Sequence, residues 1–142
     1  MKVVAIIGSS NSGKTTLIEK VVKELRRRGY RVGYVKHDPE GHGVTDEEGS
    51  DTDRIFGLTD RVVLASPDRL TLWSRTNDDP FGIIKEFFKG FDIVLLEGYK
   101  GVDGIPKVAV GSVRAGGVVL RVEVPRDASH IIELLMGMED NI

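Results

Sequence analysis

The sequence predicts an α/β fold, one domain spanning residues 1–142, with a mainly parallel β-sheet flanked by helices on both faces. Three observations carry this. Lys2 to Ile7 (KVVAII) is a near-continuous β-branched run, the pattern of a strand covered on both faces. After a glycine-bearing turn, Leu17, Ile18, Val21, Val22 and Leu25 recur at helical spacing, and Arg31 to Lys36 reads as a second strand; a strand–helix–strand unit of this length is the crossover that parallel sheets require. Strand and helix patterns then go on alternating along the chain. With 142 residues, 40% hydrophobic and 30% charged, there is material for one compact core and none of the composition of a disordered chain.

The elements follow in order. The first helix runs from Lys14 and stops at Gly29, placed as a C′ residue. His37 to Ser50 holds several glycines, one proline and a cluster of acids without apolar periodicity, so it reads as a long loop, and loops of that length in compact domains are often functional. Asp51 to Leu58 is expected as a short helix, with Arg61 to Ala65 and Leu70 to Trp73 as two short strands around the turn at Ser66 to Asp68. Asp79 to Phe88 reads as a helix with Pro80 in its first turn and Gly90 beyond its end. Ile93 to Leu96 is a fully apolar run, hence a buried central strand. Lys107 to Val110 and Val118 to Val124 are further strands, and Ala128 to Met138 is a closing helix with Ile131, Ile132, Leu134, Leu135 and Met138 apolar.

Charge and composition exclude several partners. A formal net charge of −2 gives no global electrostatic reason to bind nucleic acid or an anionic membrane, and the Arg26–Arg28 run sits in a helix's last turn, where the helix dipole favours cations. Zero cysteines remove disulfides, thiolate zinc sites and thiol nucleophiles, and fit a reducing compartment. The start, MKVVAIIG, offers far too short an apolar run for a signal-peptide core or a membrane span, so a cytoplasmic location is expected.

Gly8 to Thr15 reads GSSNSGKT, the GxxxxGK[ST] pattern, between a buried strand and a helix. At this chain's glycine, lysine and hydroxyl frequencies the pattern would arise by accident in about one percent of cases. The spacing serves one mechanism: backbone N–H groups wrap phosphates, Gly8 and Gly13 permit the tight path, and the helix N-terminus adds its dipole. Lys14 would contact the β- and γ-phosphates and Thr15 would coordinate Mg²⁺. The expected ligand is a nucleoside triphosphate with magnesium, on a P-loop NTPase-type domain.

Further acids fall where ligands collect. Glu97 emerges at the carboxyl end of a buried strand, where it could hold the magnesium shell, orient water, or be a solvated strand-end charge; Asp92, at the opposite end, is a loop residue. The loop from His37 and Asp38 to Asp51 and Asp53 is expected near the same sheet edge and could act as a switch ordered by a γ-phosphate and its Mg²⁺. Asp51 is the candidate ligand, Asp53 the second, and N-capping by Asp51 or Thr52 is the alternative; both roles could hold together. His37, His42 and His130 are scattered and make a weak metal signal, so polar loop residues contacting phosphate or a partner are favoured over a zinc or molybdenum site. The chain lacks the NKxD signature of guanine-specific GTPases, so base identity is not readable from motifs, although Val108 to Arg114 is placed to supply base contacts.

Taken in order and spacing, IIGSSNSGKTTL, GYVKHD, GSDT, and DIVLLEGYK followed by IPK resemble the molybdopterin-guanine dinucleotide biosynthesis protein B (MobB) family over roughly residues 1 to 110. The resemblance implies a GTP-binding, weakly hydrolysing homodimer that assists a separate protein, the guanylyltransferase attaching GMP to molybdopterin, with molybdopterin itself a further candidate contact. On matching positions it carries the phosphate loop to Gly8, Ser9, Ser10, Asn11, Ser12, Gly13, Lys14, Thr15 and Thr16, the switch aspartate to Asp51 and the strand-end acid to Glu97. Lys14, Asp51 and Glu97 are then the catalytic candidates, and Thr15, Asp51 and Glu97 the metal candidates. Two departures stand out: Asp38-Pro39-Glu40 replaces further histidines after His37, and VEVPRDAS replaces an aspartate-rich segment before the last helix.

Two other functions remain open to the sequence. A stand-alone ATP- or GTP-dependent kinase or ligase would need an acceptor pocket and usually a basic lid, whereas Arg69, Arg75 and Arg114 are dispersed. A metal-insertion GTPase typically carries histidine-rich or cysteine-bearing metal sites, which this chain lacks.

Overall fold

The computed structural model describes residues 1–123 and 128–142, so Val124 of the expected strand and the VPRD part of VEVPRDAS lie outside the described residues. In chain order the elements are β1 (Lys2–Ile7), α1 (Lys14–Arg27), β2 (Val32–Lys36), α2 (Asp51–Phe56), β3 (Arg61–Ala65), β4 (Leu70–Ser74), α3 (Pro80–Phe87), β5 (Ile93–Glu97), β6 (Lys107–Val110), β7 (Val118–Val122) and α4 (Ser129–Gly137). They form two compact units, one of Met1–His37 with Pro80–Ile142 and one of Asp38–Asp79.

The larger unit is the expected α/β architecture. Its sheet has the order β2-β5-β1-β6-β7 and every pairing in it is parallel. β1 lies at the centre and β5 beside it, which is why both are apolar along almost their whole length. Alternate residues feed two cores. Val4, Ile6, Ile93, Leu95, Val108 and Val110 face Leu17, Val21 and Leu25 of α1 and Ile131 and Leu135 of α4, while Val3, Ala5, Val94 and Leu96 pack with Ile84 of α3, Tyr99 and Ile105 on the other face.

Element ends follow local hydrogen bonding. β2 starts one residue later than the pattern predicts because Arg31 is engaged at the strand's entrance: its amide donates to Asp92 Oδ2 at 2.6 Å and its carbonyl accepts from the Asp92 amide at 2.9 Å. Two of the three arginines closing α1 are held by Glu24, which accepts from Arg27 Nη2 at 2.8 Å and Arg28 Nε at 2.6 Å. Those two guanidinium groups, Arg27 first, hold the Glu24 carboxyl down to about 2. Lys107 is buried, its ammonium donating to the Val102 and Ile105 carbonyls at 2.5 and 3.4 Å, so it fastens the loop that leaves β5. The Asn141 side chain brackets Val3, accepting from its amide at 2.8 Å and donating to its carbonyl at 2.9 Å.

The smaller unit is α2 with an antiparallel β3–β4 hairpin in register from Arg61↔Ser74 to Ala65↔Leu70. It rests on polar contacts as much as on burial. Thr52 Oγ1 donates to Asp46 Oδ2 at 2.7 Å, Trp73 Nε1 to Thr45 Oγ1 at 3.2 Å and Arg75 Nη2 to the Phe56 carbonyl at 2.7 Å. Among the described residues no helix is long and apolar enough to cross a membrane.

Candidate functional site

The central strand β1 delivers residues 8–13 to the carboxyl edge of the sheet, and α1 begins directly after them. Two glycines make that turn possible. A Cβ on Gly8 would lie 2.8 Å from Ser12 Oγ and 3.0 Å from the Val110 carbonyl, so any other side chain would displace the loop or the end of β6. Gly13 caps α1 at φ 89°, in the left-handed region that disfavours a side chain. No side chain caps the helix and no acid occupies its first turn, so its leading N–H groups and dipole face the loop uncompensated.

Within the loop two polar groups are held without the partners their chemistry prefers. Lys14 Nζ donates to the Gly8 and Ser9 carbonyls at 2.7 and 2.8 Å, folding the cation back over the loop. Ser12 Oγ is buried with no hydrogen-bond partner, a condition that costs about 1–3 kcal/mol unless a ligand relieves it. A cradle of this shape with an orphaned hydroxyl, a cation and a bare helix end fits an anion with several oxygens. Ser9, Ser10, Asn11 and Thr16 are exposed around it.

The loop is joined to the strand-end acid. Glu97 closes β5 in register with Ile6 of β1 and Lys36 of β2, and is 7% exposed, so the reading of a solvated charge does not hold. Its Oε1 accepts from Thr15 Oγ1 at 3.3 Å and its Oε2 from the Tyr34 hydroxyl. Burial, and after it the Glu97 carboxylate, push the Tyr34 phenol above its ordinary range. Thr15 and Glu97 therefore present adjacent oxygens beside the phosphate loop, the partial donor set magnesium uses when phosphates and water complete its shell.

Tyr34 is the residue that sequence reasoning missed. Nothing local marks it, because its partner lies 63 residues away across a strand pairing. His37 is near the acid through its backbone: its amide donates to the Glu97 carbonyl at 2.9 Å, and its ring stacks on Tyr99 with centroids 4.0 Å apart. His42 lies in the smaller unit, 3.7 Å from Glu40, and His130 on α4; among the described residues no group of three or more His, Cys, Asp or Glu side chains is placed to hold a metal ion.

Asp51 also belongs to the smaller unit, as the first residue of α2, where its Oδ1 accepts from the Thr52 amide at 2.9 Å. The expected N-cap at Asp51 or Thr52 is corrected. Ser50 is the cap, because its extended backbone (φ −60°, ψ 165°) lets its hydroxyl accept from the Asp53 amide at 3.2 Å. Asp53 Oδ2 accepts from the Gly49 amide at 2.9 Å.

Comparison with known proteins identifies relatives of this arrangement. The family described as molybdopterin guanine dinucleotide synthesis protein B matches residues 3–132. A Bacillus subtilis protein named as a probable molybdopterin-guanine dinucleotide biosynthesis adapter is 35% identical over 113 residues, covering 76% of this chain and 64% of that protein. A Pyrococcus horikoshii protein named only as a candidate GTPase is 26% identical over 145 residues, covering 96% of this chain and 43% of its own length. The matched segment thus spans less than two thirds of either relative. The crystal structure of Bacillus subtilis MobB shares the fold with a TM-score of 0.71 at 24% identity, covering 97% of this chain and all of that one.

Proposed function

This chain belongs to the molybdopterin guanine dinucleotide synthesis protein B family, and on that premise we propose that it is a GTP-binding, slowly hydrolysing adapter in molybdenum cofactor biosynthesis. Its partner on this reading is the guanylyltransferase that forms molybdopterin guanine dinucleotide, with molybdopterin a second contact. The observation that carries the nucleotide half is the Thr15–Glu97 contact, which ties a phosphate loop of the right shape to a buried acid at 3.3 Å. The adapter half is supported by the names of the relatives.

In this reading the chain's own groups act in turn. Lys14 exchanges the Gly8 and Ser9 carbonyls for β- and γ-phosphate oxygens, and the Ser12 hydroxyl gains a phosphate acceptor. The backbone amides from Gly8 to Thr16 and the α1 dipole bind the remaining charge. Magnesium, when bound, would neutralise developing charge on the phosphates; Thr15 and Glu97 would hold it, with Asp51 as the switch ligand that the γ-phosphate orders. A homodimer belongs to the same reading. It is supported by the hairpin of the smaller unit, where Val63 and Leu64 are exposed and a two-stranded sheet leaves strand edges to pair.

The pure protein with Mg²⁺ and either GTP or ATP tests the reading by binding and phosphate release. Tight GTP preference with turnover below about one per minute supports an adapter, whereas turnover near the usual enzyme range of roughly 1–1000 per second makes it a stand-alone enzyme. Retention of the guanylyltransferase on immobilised protein, with and without GTP, tests the partner, and light scattering tests the dimer.

A further inference from the structure

On the triphosphate reading above, we propose that the cleft at the carboxyl ends of β6 and β7 takes the nucleobase and that Glu123 makes it select guanine. The cleft has a volume of about 300 Å³ and is lined by Gly111, Ser112, Arg114, Arg121 and Glu123. It lies beside the start of the phosphate loop, since the carbonyl of Val110, the residue before Gly111, lies 3.0 Å from the Cβ position of Gly8. β7 is two strands from β1, a lateral step of about 10 Å at the usual strand spacing, which a ribose between phosphates and base spans.

The polar groups of the cleft divide into those already used and those facing out. The Gly111 amide donates to the Val122 carbonyl at 2.9 Å, and Arg121 Nη1 donates to the carbonyls of Gly111 and Val113, the latter at 2.9 Å. Arg121 therefore fixes the backbone after β6 and takes up the two carbonyls that could have read a base. Glu123, exposed and immediately past β7, the exposed Arg114 and the exposed Ser112 remain, and of these only Glu123 carries a negative charge.

A carboxylate only accepts, and its two oxygens match a pair of parallel N–H donors. Guanine offers such a pair at N1 and its 2-amino group. Adenine offers one amino donor beside the N1 lone pair, which a carboxylate repels, and xanthine puts an oxygen where guanine has its amino group. The planar Arg114 guanidinium can lie on the purine face whichever base is present, so it adds affinity and Glu123 adds choice.

Calorimetric titration of the whole chain with Mg²⁺ tests this, using GTP, ITP, XTP, ATP and inorganic triphosphate. The expected result is GTP at least about tenfold tighter than ATP, with ITP between them, and Glu123→Gln lowering GTP affinity about tenfold while leaving inorganic triphosphate unchanged. The variant should also narrow the gap between GTP and XTP, because an amide can donate to the xanthine oxygen. Equal binding of GTP and ATP by the native chain, or an unchanged GTP-to-ATP ratio in Glu123→Gln, overturns the base assignment while inorganic triphosphate binding keeps the phosphate loop. Failure of inorganic triphosphate and every nucleotide to bind overturns the phosphate-loop reading, and the base assignment with it.

Discussion

β1 and β3 begin with almost the same words and meet opposite fates. KVVAII is buried from Val3 to Ile7, while RVVLA leaves Arg61, Val63, Leu64 and Ala65 exposed and only Val62 half covered. The difference lies in the neighbours. β1 has β5 on one side, β6 on the other and helices over both faces, whereas β3 pairs with β4 and has the six-residue α2 beside it. A β-branched run states that a strand is favoured; the number of layers around it decides how much free energy its burial returns.

The sharpest way to break this contrast is to truncate the same kind of side chain in each strand. Ile6→Ala should cost about 3 kcal/mol in denaturant unfolding, since the residue is fully buried, while Val63→Ala should stay within about 0.5 kcal/mol at dilutions where the chain is monomeric. A concentration-dependent cost at Val63 would show that a second copy covers the hairpin, and the two strands would then be alike after all. Next in size, Lys14→Ala should weaken GTP binding about tenfold or more with no loss of folding stability, because it removes the cation of the cradle. Unaltered affinity would leave β1 a structural strand and nothing else.

Smaller effects should separate the carboxylate from its supports. Glu97→Gln should spare nucleotide binding more than Mg²⁺-dependent hydrolysis, and equal loss of both would make the residue structural. Tyr34→Phe removes one hydrogen bond to a charged group, so the Mg²⁺ concentration needed for half-maximal hydrolysis should rise by about tenfold, with GTP binding in the absence of Mg²⁺ unmoved. The least effect belongs to Glu24. Its folded carboxyl titrates near 2 instead of 4.5, so its pairing with Arg27 and Arg28 contributes fully above the unfolded value and fades as pH falls towards 2. A carboxyl NMR midpoint near 4.5 would show that these exposed pairs do not persist in solution.

Much of the fold was legible because its signals are local. β1, β3 and β6 have the bounds their sequence predicts, and the other described ends match or move by one or two residues, as at the start of β2, where the Arg31–Asp92 contact intervenes. The strand order was not legible, since no periodicity tells β1 to sit between β5 and β6. The same holds at the site. Gly8, Gly13, Lys14 and Thr15 carry a spacing that geometry demands, and Glu97 could be found from its place at a strand end. Tyr34, the Lys107 tether and the Glu123 cleft depend on which strands become neighbours, so they emerge only once the sheet is assembled.

The position of β1 also has a consequence for how the chain is born. β1 has no sheet partner until β5, which begins 86 residues after Ile7, has been made. At synthesis rates of 5–20 residues per second, the apolar Val3–Ile7 segment waits roughly 4 to 17 s without a neighbouring strand. The segment that presents the phosphate loop is thus translated well before its sheet partners and completed late. During that interval only the amphipathic α1 is near enough in sequence to shield it, which makes nascent-chain surveillance, more than the finished fold, the stage at which substitutions in β1 should first be felt.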